Sequence, residues 1–600
     1  MSIIVDKRYF CRQKFIGKIC FFRKYTIFLH YNMIKRHPLP LLPLFFLLSV
    51  GLQCLVACNN TQEQQKPPEV VVVKQPEKID EKVKELVEST VQYISENKGK
   101  LNDSVEILHP EWLASVYGNN GFSPLWSSEE KWNLQADSMY AMVADAKLYG
   151  LFPSDYYLNS LSNIRSGMNA DSLHRKNAAS WARADVLFTA AYLNMAHDLS
   201  LGRLNRDSVT LRSDSLQTDT FFIKRFSEAY TSKNIRSSLE ALEPKLRGYQ
   251  ALKAAIPSFL DSANFTQATY VMYPNKDSAA LMKQVAKRLD ELGFAPGADD
   301  TTALRGAIRK YQKQHGIPVT GKIGEKTVSS LNMTDWQRFK RIAVNLDRYK
   351  LLTDTLPKQY IWVNLPGFYL QLWDADTLAL ESKVVVGKPQ TRTPLLTSKV
   401  TDMVTYPQWT IPTSIIVKEV LPGLQRDTNY LRRKGYSLID DKGDEVYPST
   451  VKWSRYSKGI PYKVVQGSGD DNALGVLKFN FNNKYSVYMH DTNQRYFFSR
   501  AFRALSHGCV RVQQWQKLAH FIISNDSLNA APRTNTFKTD SLTAWLFRKE
   551  KHVIPVRTRI PVYLRYFGCV GEDGKMKFFE DIYNEDRMLS ERYFANKPVN

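Results

Sequence analysis

Cysteine is scarce in this sequence: six residues in 600. Only Cys58, Cys509 and Cys569 lie at or beyond position 58. A fold built on disulfides is therefore excluded, because such folds need a dense cysteine framework. Also lacking are zinc-finger spacing, a basic helix running into heptads, and an RNA-binding sheet signature. The formal charge is nonetheless +23. The first 57 residues hold nine Lys/Arg and one Asp, which leaves about +15 for the remainder. That surface favours anionic partners, and charge alone does not choose among nucleic acid, membrane and acidic polymer. With the nucleic-acid motifs missing, no nucleic-acid partner is expected. Six hundred residues exceed one core, so several domains of about 100–200 residues are expected. Hydrophobic residues at 43 % and aromatics at 12 % can fill them.

The N-terminus suggests a compartment. LPLLPLFFLLSVGLQCLVA, Leu39 to Ala57, follows Lys35 and Arg36, giving a basic region and then an apolar one. It ends in Leu55-Val56-Ala57-Cys58, which resembles a bacterial lipoprotein cleavage box. Cys58 would then carry a lipid and tie the protein to a membrane. A membrane helix or a secretory signal cut elsewhere are the alternatives. Pro40, Pro43 and the short apolar run weigh against the helix. Met33 is a plausible start, so residues 1–58 are read as the leader. Asn59 is not an inner-membrane retention aspartate, and by analogy the outer membrane is favoured, facing the periplasm. Residues 59–99, polar and Pro-containing with a valine run at Val70–Val73, read as a tether.

Residues 100–270 read as a helical domain. Val186, Ala190, Leu193 and Leu199 keep helical spacing, and His197 among them reads as a packed histidine. Residues 276–334 read as a compact three-helix unit. Val285, Leu289 and Leu292 mark the first helix, ended by Gly293. Leu304, Ala307, Ile308 and Tyr311 mark the second, ended near Gly316. Turns at Gly321 and Gly324 lead into the third. From 357 the period changes. QYIWVNLPGFYLQLWDADTLALESKVVVGKP and KFNFNNKYSVYMHD alternate apolar and polar residues, and PVYLRYFGCVGEDGKMKFFED reads as a hairpin turning at Glu572–Gly574. The expected fold class is therefore multidomain α+β, with a helical domain, a small helical bundle and a mainly-β sandwich. Cys569 sits in an apolar strand and reads as structural filler.

The chemistry concentrates in ALSHGCVRVQQW, Ala504 to Trp515. A thiol attacks only as thiolate and needs a base or positive charge nearby. His490 ends the strand YSVYMH, and a loop can return Cys509 to it. His490 would take the thiol proton as general base and return it as general acid. Backbone N–H groups of Gly508 and Cys509 could hold an oxyanion. A disulfide between Cys509 and Cys569 is the alternative to a free thiol. Arg503 and Arg511 flank the nucleophile and could pair with substrate carboxylates, or make local salt bridges. Tyr488 shares a strand face with His490, lining a pocket or packing the core. Ser506 bonds within the site or makes a turn, and His507 is a supporting partner or surface. A zinc site from His490, His507 and Cys509 lacks a fourth ligand. No metal or cofactor is expected.

Several of these stretches carry a family resemblance. HDTNQRYFFSRAFRALSHGCVRV resembles the signature of L,D-transpeptidases with a YkuD-like catalytic domain. VVVGKPQTRTP, YPQWTIPTSI and NALGVLKF stand upstream in the expected order. Residues 276–334 resemble the peptidoglycan-binding domain through YQ…HGI and TGKIGEKT. Taken with the helical segment, the chain looks like the large YcbB-type branch over roughly residues 100–600, with a catalytic domain at 357–600. Residues 416–465, polar and basic, would be a capping insertion; an ordinary surface insertion is the alternative. Two departures stand out. Arg511 replaces the asparagine of many small members, and Ser468 stands where proline is expected. The resemblance implies attack of Cys509 on the third-residue carbonyl of a peptidoglycan tetrapeptide stem, loss of D-alanine, and transfer to a second stem amine as a 3→3 cross-link. Water as acceptor would make it an L,D-carboxypeptidase. Carbapenems would acylate Cys509. Papain-like proteases place cysteine before histidine, the reverse of this order. A non-catalytic lipoprotein joining membrane to wall is the alternative from another class.

Overall fold

The computed structural model describes residues 66–597, apart from 214–216, 267, 296–300, 316, 532–535 and 596. The expected leader with Met33 and Cys58, the first part of the tether and the stop at Gly316 lie outside the described residues. No described helix is long and apolar enough to cross a membrane.

The expected tether at 59–99 is corrected by its second part. Ile79–Glu96 is a helix, and Ile79, Val83, Leu86, Val87, Val91 and Ile94 are buried. Their spacing repeats every three or four residues, so one stripe can pack while the charges between face water. The stripe packs on the long helix Ala178–Ser200. The valine run is pinned as well: Val73 N–H donates to Lys176 O at 2.8 Å, and Ala178 N–H to Val71 O at 2.8 Å. Composition suggested a linker, and periodicity decided otherwise. Within this helical region Asp185 is fully buried. It accepts from the Leu125 and Trp126 amides at 2.9 Å and from Tyr117 Oη at 2.7 Å. That anchors the turn-rich aromatic stretch 117–126 to the helix.

The three-helix unit comprises Ser278–Glu291, Thr301–Gln314 and Glu325–Leu331 around Val285, Leu289, Ile308, Tyr311 and Leu331. Gln312 explains part of its sequence pattern. Its Oε1 accepts from the amides of Thr320 and Gly321, and its Nε2 donates to Thr327 Oγ1, all at 2.9 Å. One side chain thus fastens the glycine turn to the second helix. The helix Asp335–Lys350 follows and is largely buried, packed between Arg247–Ala254 and Glu585–Phe594.

The main sheet of the C-terminal region has ten strands: β1 Gln359–Asn364, β2 Tyr369–Asp374, β3 Thr377–Gly387, β4 Leu396–Thr405, β5 Leu477–Phe481, β6 Met489–His490, β7 Ala504–Ser506, β8 Val510–Val512, β9 Val553–Pro555 and β10 Pro561–Arg565. Their order is β5-β6-β8-β3-β2-β1-β10-β4-β9, with β7 beside β3. The long β4 also pairs with β5, which turns the sheet back on itself. Inside lie Val363, Leu370, Val386, Met403, Phe479, Met489, Val510 and Val512, with Leu518 and Ile522 of the helix Trp515–Leu528 against them. The α+β architecture with a mainly-β C-terminal region matches the expectation. The segment between β4 and β5 forms a small body of its own. Its strands Trp409–Thr410, Tyr436–Ile439 and Lys463–Gln466 make a separate sheet, and Ile416, Leu421, Leu431, Trp453 and Val464 form a core.

Candidate active site

Strand parity places the site. Successive strand residues point to opposite faces. Phe479, Met489, Val510 and Val512 face the core, so Lys478, His490 and Arg511 face away from it. β5 and β6 pair antiparallel with Lys478 opposite His490, and β6 and β8 pair parallel with His490 opposite Arg511. Val510 N–H donates to Tyr488 O at 3.1 Å, extending the register by one residue. One face therefore carries Lys478, Tyr488, His490, Cys509 and Arg511. The Tyr488 and His490 rings meet edge to face, 5.7 Å between centroids.

The strand end that holds His490 is built by its neighbours. Asp491 is fully buried, receives the Val476 N–H at 3.1 Å and pairs with Arg495 at 2.7 Å. Gly475, at φ +63°, is required there: a Cβ would come within 2.3 Å of Asp491 Oδ2. This accounts for the glycine of NALG. Ser468 donates to Tyr406 O at 2.8 Å, a bond that the expected proline could not make.

The turn that carries Cys509 rests in the loop after β3. Thr391 Oγ1 donates to Ser506 O at 3.0 Å, and the Lys388 amide to the same oxygen at 2.9 Å. Thr393 Oγ1 donates to Gly508 O at 2.8 Å and accepts the Gly387 N–H at 2.9 Å. These contacts give VVVGKPQTRTP a role that its sequence did not reveal. Gly508 takes φ +125°.

Cys509 is half-buried and free, and Cys569 is buried and free, so the disulfide alternative is excluded. Cys509 Sγ donates to Ser486 O at 4.0 Å. No hydrogen bond joins it to His490. Burial pushes the Cys509 thiol up, while hydrogen bonding to Tyr488 and the charges of Lys478 and Arg511 pull it back. Burial pushes His490 down to about 3, helped by the charges of Arg511 and Lys478 and opposed by the carbonyls of Asp491 and Leu474. His490 is 3 % exposed, and its Nδ1 makes no hydrogen bond. At neutral pH the pair is thus thiol and neutral imidazole. A neutral imidazole can accept the thiol proton as attack proceeds, and apo geometries of such pairs are commonly loose.

Two expectations need correction, those for Arg503 and for the Gly508 N–H. Arg503 is not available to a substrate carboxylate. Its guanidinium donates to the carbonyls of Val384 (3.1 Å), Arg500 (2.8 Å) and Phe368 (3.0 Å), because it lies in the seam between β3 and the chain before β7. Ser506 is buried and acts within the turn, accepting the Gly508 N–H at 3.1 Å and donating to Cys509 O at 2.7 Å. Consequently the Gly508 N–H is already engaged. The Cys509 N–H has no acceptor among the described residues, and it alone of the two is left for an oxyanion.

Arg511 is divided. Its Nη1 donates to Thr492 Oγ1 at 3.1 Å and Gln494 Oε1 at 2.8 Å, while its Nε is buried without a partner. His507 is exposed, with Nε2 2.6 Å from Glu419 Oε1 in the body between β4 and β5. Glu419 of that body thus reaches the residue two positions before Cys509, and Trp409 of the same body acts on the Tyr488 hydroxyl, so the body borders the site. Sequence reasoning missed Lys478, Trp409, Glu419 and Thr393. Lys478 stood in a quoted stretch without a role, and its place opposite His490 was the missing signal.

Comparison with known proteins agrees in order and content. Family models match residues 111–256 (Scaffold domain), 278–331 ("Putative peptidoglycan binding domain") and 358–530 (L,D-transpeptidase catalytic domain). A protein of Haemophilus influenzae named "Putative L,D-transpeptidase" is 36 % identical over 251 residues, 42 % of this chain. The match spans only 49 % of that relative's length. A solved L,D-transpeptidase from Mycobacterium smegmatis matches 35 % of this chain and 58 % of its own at 11 % identity, with a TM-score of 0.17, too low to bear on the fold. The chain therefore joins a scaffold domain, a peptidoglycan-binding domain and, carrying both His490 and Cys509, an L,D-transpeptidase catalytic domain of the YkuD family.

Proposed function

We propose that the protein is a cysteine-dependent peptidoglycan L,D-transpeptidase. The observation that carries this is the parallel pairing of β6 with β8, which sets His490 and Cys509 on one face of a transpeptidase domain. In this reading Cys509 Sγ attacks the third-residue carbonyl of a tetrapeptide stem, and its proton moves to His490. The Cys509 N–H stabilises the oxygen that gains charge. The carbon–nitrogen bond breaks, His490 returns the proton to the leaving amine, and D-alanine departs. A side-chain amine of a second stem attacks the thioester, loses a proton to His490 and restores the thiol, leaving a 3→3 cross-link. An imidazole that holds its proton weakly is a strong acid for the leaving amine, which suits the release step. No cofactor enters these steps.

Residues 276–334 would hold the wall polymer and residues 100–270 would serve as scaffold. Residues 357–600 would carry the chemistry, with 416–465 capping the groove. A lipid on Cys58 would keep the protein in the cell envelope, facing the periplasm, with the outer membrane favoured. The test incubates the protein, and its Cys509→Ala variant, with disaccharide-tetrapeptide and follows products by mass spectrometry. Dimers lacking one D-alanine and dependent on Cys509 are expected. Tripeptide alone would assign a carboxypeptidase. No Cys509-dependent product would overturn the reading.

A further inference from the structure

His490 leaves a deficit. A neutral imidazole in the resting site offers no positive charge to a thiolate, and a thiolate in a half-buried place needs one. Among the described residues, the face around Cys509 carries the cations Arg511 and Lys478. Arg511 spends part of its guanidinium on Thr492 and Gln494. Lys478 spends nothing: among the described residues no carboxylate lies in ion-pair range of its Nζ, and it makes no hydrogen bond. The ammonium sits on the Tyr488 ring, 3.9 Å from its centroid. That ring belongs to the residue beside Cys509 across the β6–β8 seam. Lys478 is also half-buried, and its backbone is fixed by pairing with His490 on one side and Val404 on the other. Partial burial costs an ammonium solvation, and both the Tyr488 ring and an anion forming beside it offset that cost.

We propose that Lys478 is the positioning cation of the nucleophile, held on Tyr488 so that its ammonium supplies the counter-charge as the Cys509 thiolate forms. The inference rests on Cys509 being the nucleophile of the proposed function, and nothing else in that function is required. The charge arrangement fits. Lys478 and Arg511 favour the anionic sulfur and disfavour the imidazolium. Asp402 is the acidic group acting on Lys478. Tyr488 and Arg511 also act on the thiol, His490 shares its face, and Trp409 from the neighbouring body is neutral.

Iodoacetamide alkylation of Cys509, followed by mass spectrometry between pH 5 and pH 10, tests this without any peptidoglycan. Lys478→Met is expected to move the alkylation profile up by about one pH unit and to slow the reaction at pH 7 roughly tenfold, with the high-pH plateau unchanged. Lys478→Arg is expected to restore most of the shift, since it keeps the charge. Should Lys478→Met fail to fold, Lys478→Gln gives the same reading. An unshifted profile in the folded neutral variant would overturn the proposal. So would an equal shift in Lys478→Arg, which would mean a packing role. The readout is independent of cross-linking, so a failure here and a failure of the transpeptidase reading can be told apart.

Discussion

Replacing Gly508 by alanine separates geometry from bulk at the turn that carries Cys509. A Cβ at Gly508 would meet only Arg392 O at 3.6 Å and Thr391 O at 3.8 Å, ordinary contacts. Steric overlap therefore contributes nothing. The backbone, however, sits at φ +125°, where a side chain costs about 1–3 kcal/mol. Of the hydrogen bonds that hold the turn, three involve Gly508 or Cys509 directly: Ser506 Oγ with the Gly508 N–H, Ser506 Oγ with Cys509 O, and Thr393 Oγ1 with Gly508 O. At about 0.5–1.5 kcal/mol each, they are comparable to the strain. The alanine variant is thus expected to relax by giving up one or more of them and moving Cys509. A displacement near 1 Å costs roughly 100-fold in a positioned reaction. Small-reagent alkylation needs no such alignment and should fall much less. The assay compares cross-linking turnover with Cys509 alkylation, using Ser506→Ala as the companion because it removes two of the same bonds. Wild-type turnover and unfolding midpoint in Gly508→Ala would refute the reasoning.

Asp586 is fully buried between Arg341, 2.9 Å away, and Arg348. Asp586→Ala should lower stability by about 3–5 kcal/mol in denaturant melts, because two cations lose their partner. Burial alone would raise this carboxyl, but Arg348 and Arg341 hold it below the usual range. Its contribution is therefore present above the ordinary carboxylate pKa and lost as pH falls through the depressed one, and acid melts of Asp586→Asn should be flatter. Arg503→Met should lower the unfolding midpoint and leave KM unchanged; a raised KM at constant stability would return Arg503 to the substrate. Glu419→Ala removes an exposed partner of His507, worth at most about 1 kcal/mol, so proteolysis within 411–465 should quicken while turnover changes less than about fivefold. His490, held at about 3, stays neutral through mild acid. Its folded value lies below the unfolded one, so its stabilising contribution is present above about 6.5 and wanes as pH falls toward 3. The acidic limb of turnover should lie well below pH 6 and vanish in His490→Ala.

Local patterns were legible wherever one short segment does the work. The thiol in ALSHGCVRV, the histidine at a strand end, the glycine turn of the three-helix unit and the β-alternation after 357 could all be read directly. Each depends on spacing within a few residues. Ile79–Glu96 was equally local and was misread because charge and proline outweighed a visible stripe.

The sequence by itself determined which side chains are able to carry chemistry and most of the segments that are helical or extended, since those follow from residue type and period. Tertiary structure alone decided which of them meet. Arg503 and Arg511 are alike in sequence, eight residues apart. One is consumed by backbone carbonyls because it lies in the seam beside β3, while the other keeps a buried Nε free on the face of Cys509. Lys478 gained its place only when β5 paired with β6, and β6 with β8. Register between strands is fixed by long-range pairing, and a slip of one residue would turn every one of these side chains to the other face.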